Sequence, residues 1–203
     1  MGIRQSQENA SFWRDTELIA EQREGAELLD SILETFRAQI GRDFPAYRNH
    51  CQRVFCFALY ILPRPPSDSD AIKKIAVALA FHDLGIWSAG TVDYIDPSRR
   101  DALAYLKSRG LESWHQDVDA MIEFHHQVLR GSLSSDSLAD VIRRADRVDF
   151  SLGIVKSGLP TSVVRRVQAS YANEGFHWRL VQLAAAWFLH HPLNPAPMIR
   201  WSN

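Results

Sequence analysis

Hydrophobic positions recur every three to four residues along most of the chain, and no segment shows the strict alternation of a half-buried strand. The pattern therefore predicts an all-α fold. Pro45 suits the first turn of a helix, Gly41 and Gly110 suit helix ends, and Gly25 is a candidate break in the first helix. The helices expected from the spacing cover residues 11–40, 45–62, 68–83, 98–109, 113–127, 135–150, 160–171 and 176–190.

The chain of 203 residues is long enough to bury one substantial core, and its length does not require a second domain. We therefore expect a single helical domain over residues 1–203. Its central part is residues 47–149, and the first helix and the helices within 160–191 pack on that part. The three tryptophans expected in the core are Trp114, Trp178 and Trp187.

One connection is long enough to suggest a function. Residues 85–97 are predicted to form a loop between the third and fourth helices, and the loop carries Trp87, Asp93 and Tyr94. Long loops inside compact domains are often functional. Its side chains are therefore candidates for lining a pocket.

Composition narrows the classes of partner. Lys and Arg total 23 against 24 Asp and Glu, and the charges are interspersed, which argues against binding to a nucleic-acid polymer. No signal peptide is visible and no apolar run approaches the ~20 residues of a membrane span, so we expect a cytoplasmic protein that does not bind membranes. Cys51 and Cys56, five residues apart in a predicted helix, are expected to be buried free thiols.

Two histidines lie in line with the apolar faces of their helices. His50 follows Tyr47 by three residues and precedes Val54 by four, so it shares the inward edge of the second helix. His82 follows Leu79 by three residues and continues the core face of the third helix. Both imidazoles are therefore expected to be at least partly buried.

Carboxylates share these inward positions. Asp83 lies four residues after Leu79, and Asp146 lies four after Ile142 with Asp149 three further on. Burying an ionised carboxylate without a partner costs several kcal/mol, so these groups need a cation or a network of donors. A divalent metal ion meets that need for two carboxylates at once.

The residues form a mixed nitrogen and oxygen ligand set. Such a set suits Fe, Mn, Co, Ni or Zn, and it suits Mg less well because two ligands are imidazoles. Four protein ligands leave two positions of a six-coordinate ion for water and substrate, as a catalytic site requires. The four candidate ligands are His50, His82, Asp83 and Asp146.

The order of these residues resembles the HD superfamily of metal-dependent phosphohydrolases, whose motif is a His, then a His-Asp pair, then a distal Asp. The resemblance covers residues 47–149, about half the chain, and includes the segment Ile-Glu-Phe-His-His that ends at His125 and His126. It implies a helical bundle around one metal ion held by the four candidate ligands.

The resemblance also implies an activity, the hydrolysis of a small phosphorylated substrate by metal-activated water. His125, on the apolar face of the fifth predicted helix, is a candidate for proton transfer beside Asp83. His126 and Asp149 are predicted to support the ligands. The candidates for binding substrate are Arg53, Trp87, Asp93 and Lys156.

Two departures from the family pattern leave alternatives open. Several nucleotidases of the family have an acidic residue soon after His-Asp, where this chain has Leu84, Gly85, Ile86 and Trp87. The further histidines, at positions 115, 125 and 126, crowd onto one predicted helix, which favours one metal ion over two. A hydratase of a nitrile-like substrate such as cyanamide, which the motif also resembles, and a non-catalytic metal- or nucleotide-binding module are alternatives, and a homo-oligomer is compatible with the sequence.

Overall fold

The computed structural model describes residues 20–63, 70–128, 133–134 and 137–199. Within these ranges the secondary structure is helical and contains no β-strand, which confirms the all-α prediction. The eight helices of ten or more residues are α1 (Ala20–Thr35), α2 (Phe44–Ile61), α3 (Ala71–Phe81), α4 (Ile95–Ser108), α5 (His115–Phe124), α6 (Leu138–Phe150), α7 (Thr161–Ser170) and α8 (Phe176–His190). None of these described helices has the length and apolar character needed to cross a membrane.

Helix α2 lies at the centre of the bundle, with α1, α3 and α6 packed around it. Nearly every residue of α2 is buried, including Tyr47, Val54 and Phe55. Helix α3 is similarly enclosed, so both helices are buried on almost every side. Polar side chains on these two helices therefore have little access to water.

The first predicted helix breaks at a different residue from the one expected. Gly25 lies inside α1, and the helix ends at Thr35, after which Arg37–Ile40 forms a separate short helix. A Cβ atom on Gly25 would lie 2.7 Å from Ile72 Cγ2 and 2.8 Å from a Phe55 ring carbon. Gly25 thus permits close packing of α1 on its neighbours, and the prediction that it breaks the helix was wrong.

The predicted loop 85–97 is shorter than expected. Gly85–Ser88 forms a helical turn and α4 begins at Ile95, so only residues 89–94 are irregular. The backbone N–H of Gly85 donates to Ser98 Oγ at 2.9 Å, and a Cβ at this position would collide with the carbonyl oxygen of Tyr94. The absence of a side chain at Gly85 therefore allows α4 to begin directly beside the end of α3.

Helix ends place the ionisable residues. Helix α3 ends at Phe81, so His82 and Asp83 occupy the turn that follows it, and α5 ends at Phe124, so His125 and His126 do the same. The sequence predicted both pairs inside longer helices. Helix α6 begins where the Ser/Asp-rich segment suggested, with Ser137 Oγ accepting the N–H of Asp140 at 3.2 Å.

The predictions for tryptophan and cysteine have mixed outcomes. Trp114 is buried and Trp187 is partly buried, but Trp178 is 66% exposed, so its assignment to the core was wrong. Cys51 and Cys56 are both buried and free, as predicted.

Candidate metal centre

Four side chains from three parts of the bundle meet at one point. His50 comes from the middle of α2, His82 and Asp83 from the turn after α3, and Asp146 from α6. Each is at most 4% exposed. All four are residues that the sequence predicted as ligands; the ligand atoms of His50, His82 and Asp83 lie within 4.8 Å of one another, and Asp146 reaches this group through His50.

The ligand atoms of His50, His82 and Asp83 have the spacing expected around a single ion, and one Asp146 oxygen lies near His50. His50 Nε2 lies 3.0 Å from His82 Nε2, 3.5 Å from Asp83 Oδ2 and 3.6 Å from Asp146 Oδ1. His82 Nε2 lies 3.4 Å from the same Asp83 oxygen. Atoms bound to one ion at about 2.1 Å lie roughly 3.0–3.5 Å from each other in octahedral or tetrahedral geometry. The observed separations fall close to this range.

The hydrogen bonds at the far side of each imidazole determine which nitrogen faces the centre as a ligand. Nδ1 of His82 lies 2.8 Å from the carbonyl oxygen of Leu79, and Nδ1 of His50 lies 2.7 Å from Asp149 Oδ2. Because both partners accept hydrogen bonds, each Nδ1 carries a proton and donates it. In the neutral rings both Nε2 atoms therefore present lone pairs to the centre, which is the arrangement of metal-bound histidine.

Those lone pairs conflict with each other unless a proton or a metal ion lies between them. Two unprotonated Nε2 atoms at 3.0 Å repel, and the neighbouring oxygens of Asp83 and Asp146 can only accept. Asp83 Oδ1 and His125 Nε2 are buried with no hydrogen-bond partner among the described residues. Leaving such groups unsatisfied costs about 1–3 kcal/mol each. The residues present thus fit a metal ion better than they fit one another.

Charge balance leads to the same conclusion. Arg53 makes a two-point ion pair with Asp149, with Nε at 2.5 Å from Oδ1 and Nη2 at 2.9 Å from Oδ2. This pair is neutral overall, so once the proton at His50 is displaced, Asp83 and Asp146 leave two negative charges in a buried site. A divalent cation would neutralise both.

Arg53 was predicted to bind substrate, but the structure places its side chain in the protein interior. It is 2% exposed, and its Nη1 also donates to the carbonyl oxygens of Tyr171 and Ala172, both at 3.1 Å. All of its donor nitrogens are occupied by the protein, so it is not placed to bind substrate. It holds Asp149, which in turn fixes the ring of His50.

The ionisation of the cluster reflects burial opposed by close charges. Burial disfavours the charged form of His50, but hydrogen bonds to Asp149 and Asp83 outweigh it and raise its pKa to about 9. Burial lowers the pKa of His82 to about 3. It raises the pKa of Asp146 to about 6, whereas His82 and His125 hold the pKa of Asp83 well below its usual range despite burial. The site therefore retains a proton near His50 that a metal ion would displace.

A second group of possible ligands shares Asp83. Asp83 Oδ1 lies 3.4 Å from His125 Nε2 and 4.0 Å from His126 Nε2. His125 Nδ1 contacts the carbonyl oxygen of Ile122 at 2.6 Å, so its Nε2 also carries the lone pair. His126 Nδ1 lies 3.7 Å from Asp146 Oδ2. His125, predicted as a proton-transfer residue, and His126, predicted as a supporting residue, thus both lie at the edge of the centre.

Aromatic side chains cover the centre. The ring of Phe176, the first residue of α8, stacks on His50 with centroids 4.1 Å apart and an interplanar angle of 14°. The hydroxyl of Tyr94 is 2.6 Å from His126 Nε2. These contacts exclude water from two sides of the cluster.

The remaining substrate-binding candidates lie away from the ligand atoms. The Trp87 ring is tilted against Tyr47 at 4.6 Å and its Nε1 donates to Asp43 at 3.1 Å. Asp93 is exposed in the loop before α4, and Lys156 is exposed in the turn after α6. No described contact connects Asp93 or Lys156 to the cluster.

Sequence reasoning missed two contributors. Phe176 had no visible signal, because its contact with His50 joins residues 126 positions apart in the chain. The sequence did contain a signal for the Arg53–Asp149 pair, since Arg53 follows His50 by three residues and Asp149 follows Asp146 by three. That spacing places each beside a ligand on the same helix face.

No family model, curated protein or solved structure matches the chain.

Proposed function

We propose that this protein is a metal-dependent hydrolase of the HD type that acts on a small phosphate ester or nucleotide. One observation carries the proposal: the Nε2 atoms of His50, His82 and His125 all face Asp83, while each Nδ1 is held by another acceptor. A structural ion pair does not require three pre-oriented lone pairs. A divalent ion does.

A divalent ion bound here would lower the pKa of a water ligand and polarise a phosphoryl oxygen. His50, His82, Asp83 and Asp146 would hold it, and Fe, Mn, Co, Ni or Zn suits this donor set better than Mg. The Arg53–Asp149 pair would keep His50 in its coordinating orientation.

His125 is the chain's own candidate for moving a proton. Its Nε2 is unpartnered among the described residues and lies 3.4 Å from Asp83 Oδ1, so it can accept a proton from a water or donate one to a leaving oxygen between them. The charge of Asp83 raises the pKa of His125 above its ordinary value against the effect of burial. Tyr94 holds the neighbouring His126 through its hydroxyl.

A second candidate reaction is the hydration of a small, uncharged, nitrile-like molecule. The observation that favours it concerns the two side chains predicted to bind phosphate. Arg53 is fully occupied by Asp149 and backbone carbonyls, and Lys156 is exposed and not in contact with the cluster. An uncharged substrate needs no such partner, whereas a phosphate would have to rely on the metal ion.

The proposal is tested by elemental analysis of freshly purified protein, followed by assays for phosphate release from a panel of nucleotides and phosphate esters. We expect about one equivalent of a transition metal and metal-dependent turnover. Asp83→Asn should lose both, because it removes a charged ligand while preserving shape. Asp96→Asn is the matched control, since the Asp96 carboxylate is 72% exposed and pairs only with Arg99 among the described residues.

The other outcomes separate the alternatives. Ammonia or urea formation from nitriles or cyanamide, without phosphate release, would favour the hydratase. Tight nucleotide binding without turnover in any metal would favour a non-catalytic module. Absence of bound metal together with absence of metal-stimulated activity in wild type would refute the metal centre itself.

A further inference from the structure

Helix α8 has two apolar faces on opposite sides. Successive residues of an α-helix are rotated by about 100°, so positions 176 and 178 point in nearly opposite directions. We define the inner face as Phe176, Leu180, Leu183 and Trp187, and the outer face as Trp178, Val181, Ala185 and Phe188. Each face repeats at intervals of three and four residues, which is the spacing of helices that pack along their length.

The inner face is used by the fold. Phe176 is 2% exposed and stacks on His50, and Leu180 and Leu183 pack against the buried cluster of Ile86, Tyr94 and Ile95. These contacts fix the helix on the bundle. They also leave the outer face directed away from it.

The outer face is exposed to solvent. Trp178 is 66% exposed, Val181 55% and Phe188 51%, and Ala185 is exposed as well. Leu189, beside this face, is 78% exposed. A helix that is apolar on all sides is normally buried on all sides, so the outer face lacks a partner within the described part of the chain.

The exposed area is large enough for a stable interface. Aromatic side chains each bury roughly 150–250 Å². Because these side chains are only partly exposed, the outer face with the aliphatic residues between and beside them offers on the order of 600 Å² per copy, which is about the lower limit for one partner of a specific interface. A typical monomer exposes no larger patch than roughly 300–600 Å².

We propose that the outer face of α8 packs against the same face of a second copy of this chain, forming a two-fold symmetric dimer. The neighbouring charged or ionisable side chains of α8 are already occupied: Arg179 Nε donates to Asp43 at 2.8 Å, and His177 Nε2 contacts the carbonyl oxygen of Asp149 at 2.9 Å. The outer face is uncharged, and Gln182 is the exposed polar residue beside Trp178 and Ala185, so the partner surface must be uncharged and largely apolar. Ala185 at its centre lets two helices approach closely.

A membrane surface fits these observations less well. Helices that lie on membranes carry Lys and Arg along the border of their apolar face. The only Lys or Arg in α8 is Arg179, which is paired with Asp43. A symmetric pair of antiparallel helices needs no such charges, and its opposed helix dipoles attract.

The test measures the mass of the full chain in solution by light scattering and sedimentation. Wild type should show twice the chain mass of 23.1 kDa, and Val181→Glu should show the mass of one chain. A charge buried at the centre of an interface weakens association by about 100-fold or more. Ala186→Glu is the matched control, because it places the same charge at an exposed position of the same helix off the outer face, and it should remain dimeric.

Three results would overturn the dimer. One is a single-chain mass for wild type at all concentrations up to about 100 µM. A specific interface of this size should have a dissociation constant below that concentration. Another is a Val181→Glu variant that remains dimeric with unchanged helical circular dichroism. The third is a monomer that binds vesicles of neutral or anionic phospholipid through Val181, which would assign the face to lipid. None of these depends on whether the metal centre is catalytic.

Discussion

The metal centre and the outer face of α8 depart from ordinary protein packing in opposite ways. At the centre, Asp83, Asp146 and three imidazoles are buried where apolar side chains normally lie. On the outer face, Trp178 and Phe188 are exposed where polar side chains normally lie. Each departure is unfavourable for the isolated chain, and our proposals give each a partner: a cation in the first case and a second chain in the second.

The two regions differ in how closely they specify that partner. Polar atoms 3.0–3.6 Å apart, with the imidazole protons held on the far side of each ring, restrict the size and charge of any ion that could bind between them. An apolar helix face defines only shape and the absence of charge. Directional polar groups therefore identify chemistry, whereas apolar groups identify an area of contact.

The largest effect on stability is expected from breaking the buried ion pair behind the centre. Arg53→Met should lower the free energy of unfolding by about 3–5 kcal/mol, because it leaves Asp149 charged and buried without its cation. It should also weaken metal binding by about 10–100-fold, because Asp149 no longer holds His50 firmly. Urea unfolding and metal titration measure the two effects.

Arg37→Met is the matched substitution at an exposed pair. Arg37 bonds Glu34 with both side chains about half exposed, so its loss should cost about 1 kcal/mol or less and leave metal affinity unchanged. Equal metal affinities for Arg53→Met and wild type would contradict the role assigned to Asp149.

A smaller effect is expected from pH on the metal-free protein. Hydrogen bonds to Asp149 and Asp83 outweigh burial and raise the pKa of His50 to about 9, and Asp83 raises that of His125. Between pH 7 and 9 the folded chain therefore holds a proton at His50 that an unfolded chain, with histidine pKa near 6.5, has released. Stability must then fall as pH rises through this window, by about 1.4 kcal/mol per pH unit for each such proton. The pKa values of His82 and His126 are lowered, so these two residues change protonation, and affect stability, only below pH 7.

The measurement is the melting temperature from pH 7 to 9, with a chelator and with excess zinc. With zinc the decline should disappear, since the ion replaces the proton at His50 Nε2. Parallel declines under the two conditions would show that no ion binds at His50.

The clustering of the candidate ligands was predictable in part because these residues follow helix periodicity. His50 and Asp146 each lie three or four residues from a core residue on the same helix, and His82 lies three residues after Leu79 in the turn that ends α3. The pairing of Arg53 with Asp149 was not predicted, because it joins residues 96 positions apart. Periodicity states which residues share a face, and it does not state which faces meet.

The same limit explains the error at α8. Its bounds were predicted correctly as residues 176–190, but Trp178 was assigned to the core. The helix is apolar on both faces, so its sequence alone cannot distinguish the face that meets the bundle from the one that meets solvent. Contacts of Phe176 with His50 decide the matter, and they are visible only in the fold.

The smallest effect is expected for Trp178→Ala, and its comparison with Phe176→Ala separates those two faces directly. Phe176→Ala should cost about 3–5 kcal/mol, because Phe176 is 2% exposed, whereas Trp178→Ala should change the stability of single chains by less than about 0.5 kcal/mol. The melting temperature of wild type should rise with protein concentration, because association stabilises the folded state, and that of Trp178→Ala should not. If Trp178→Ala instead destabilises the dilute protein as much as Phe176→Ala does, the outer face is covered by the protein's own chain. Only the buried centre would then depart from ordinary packing.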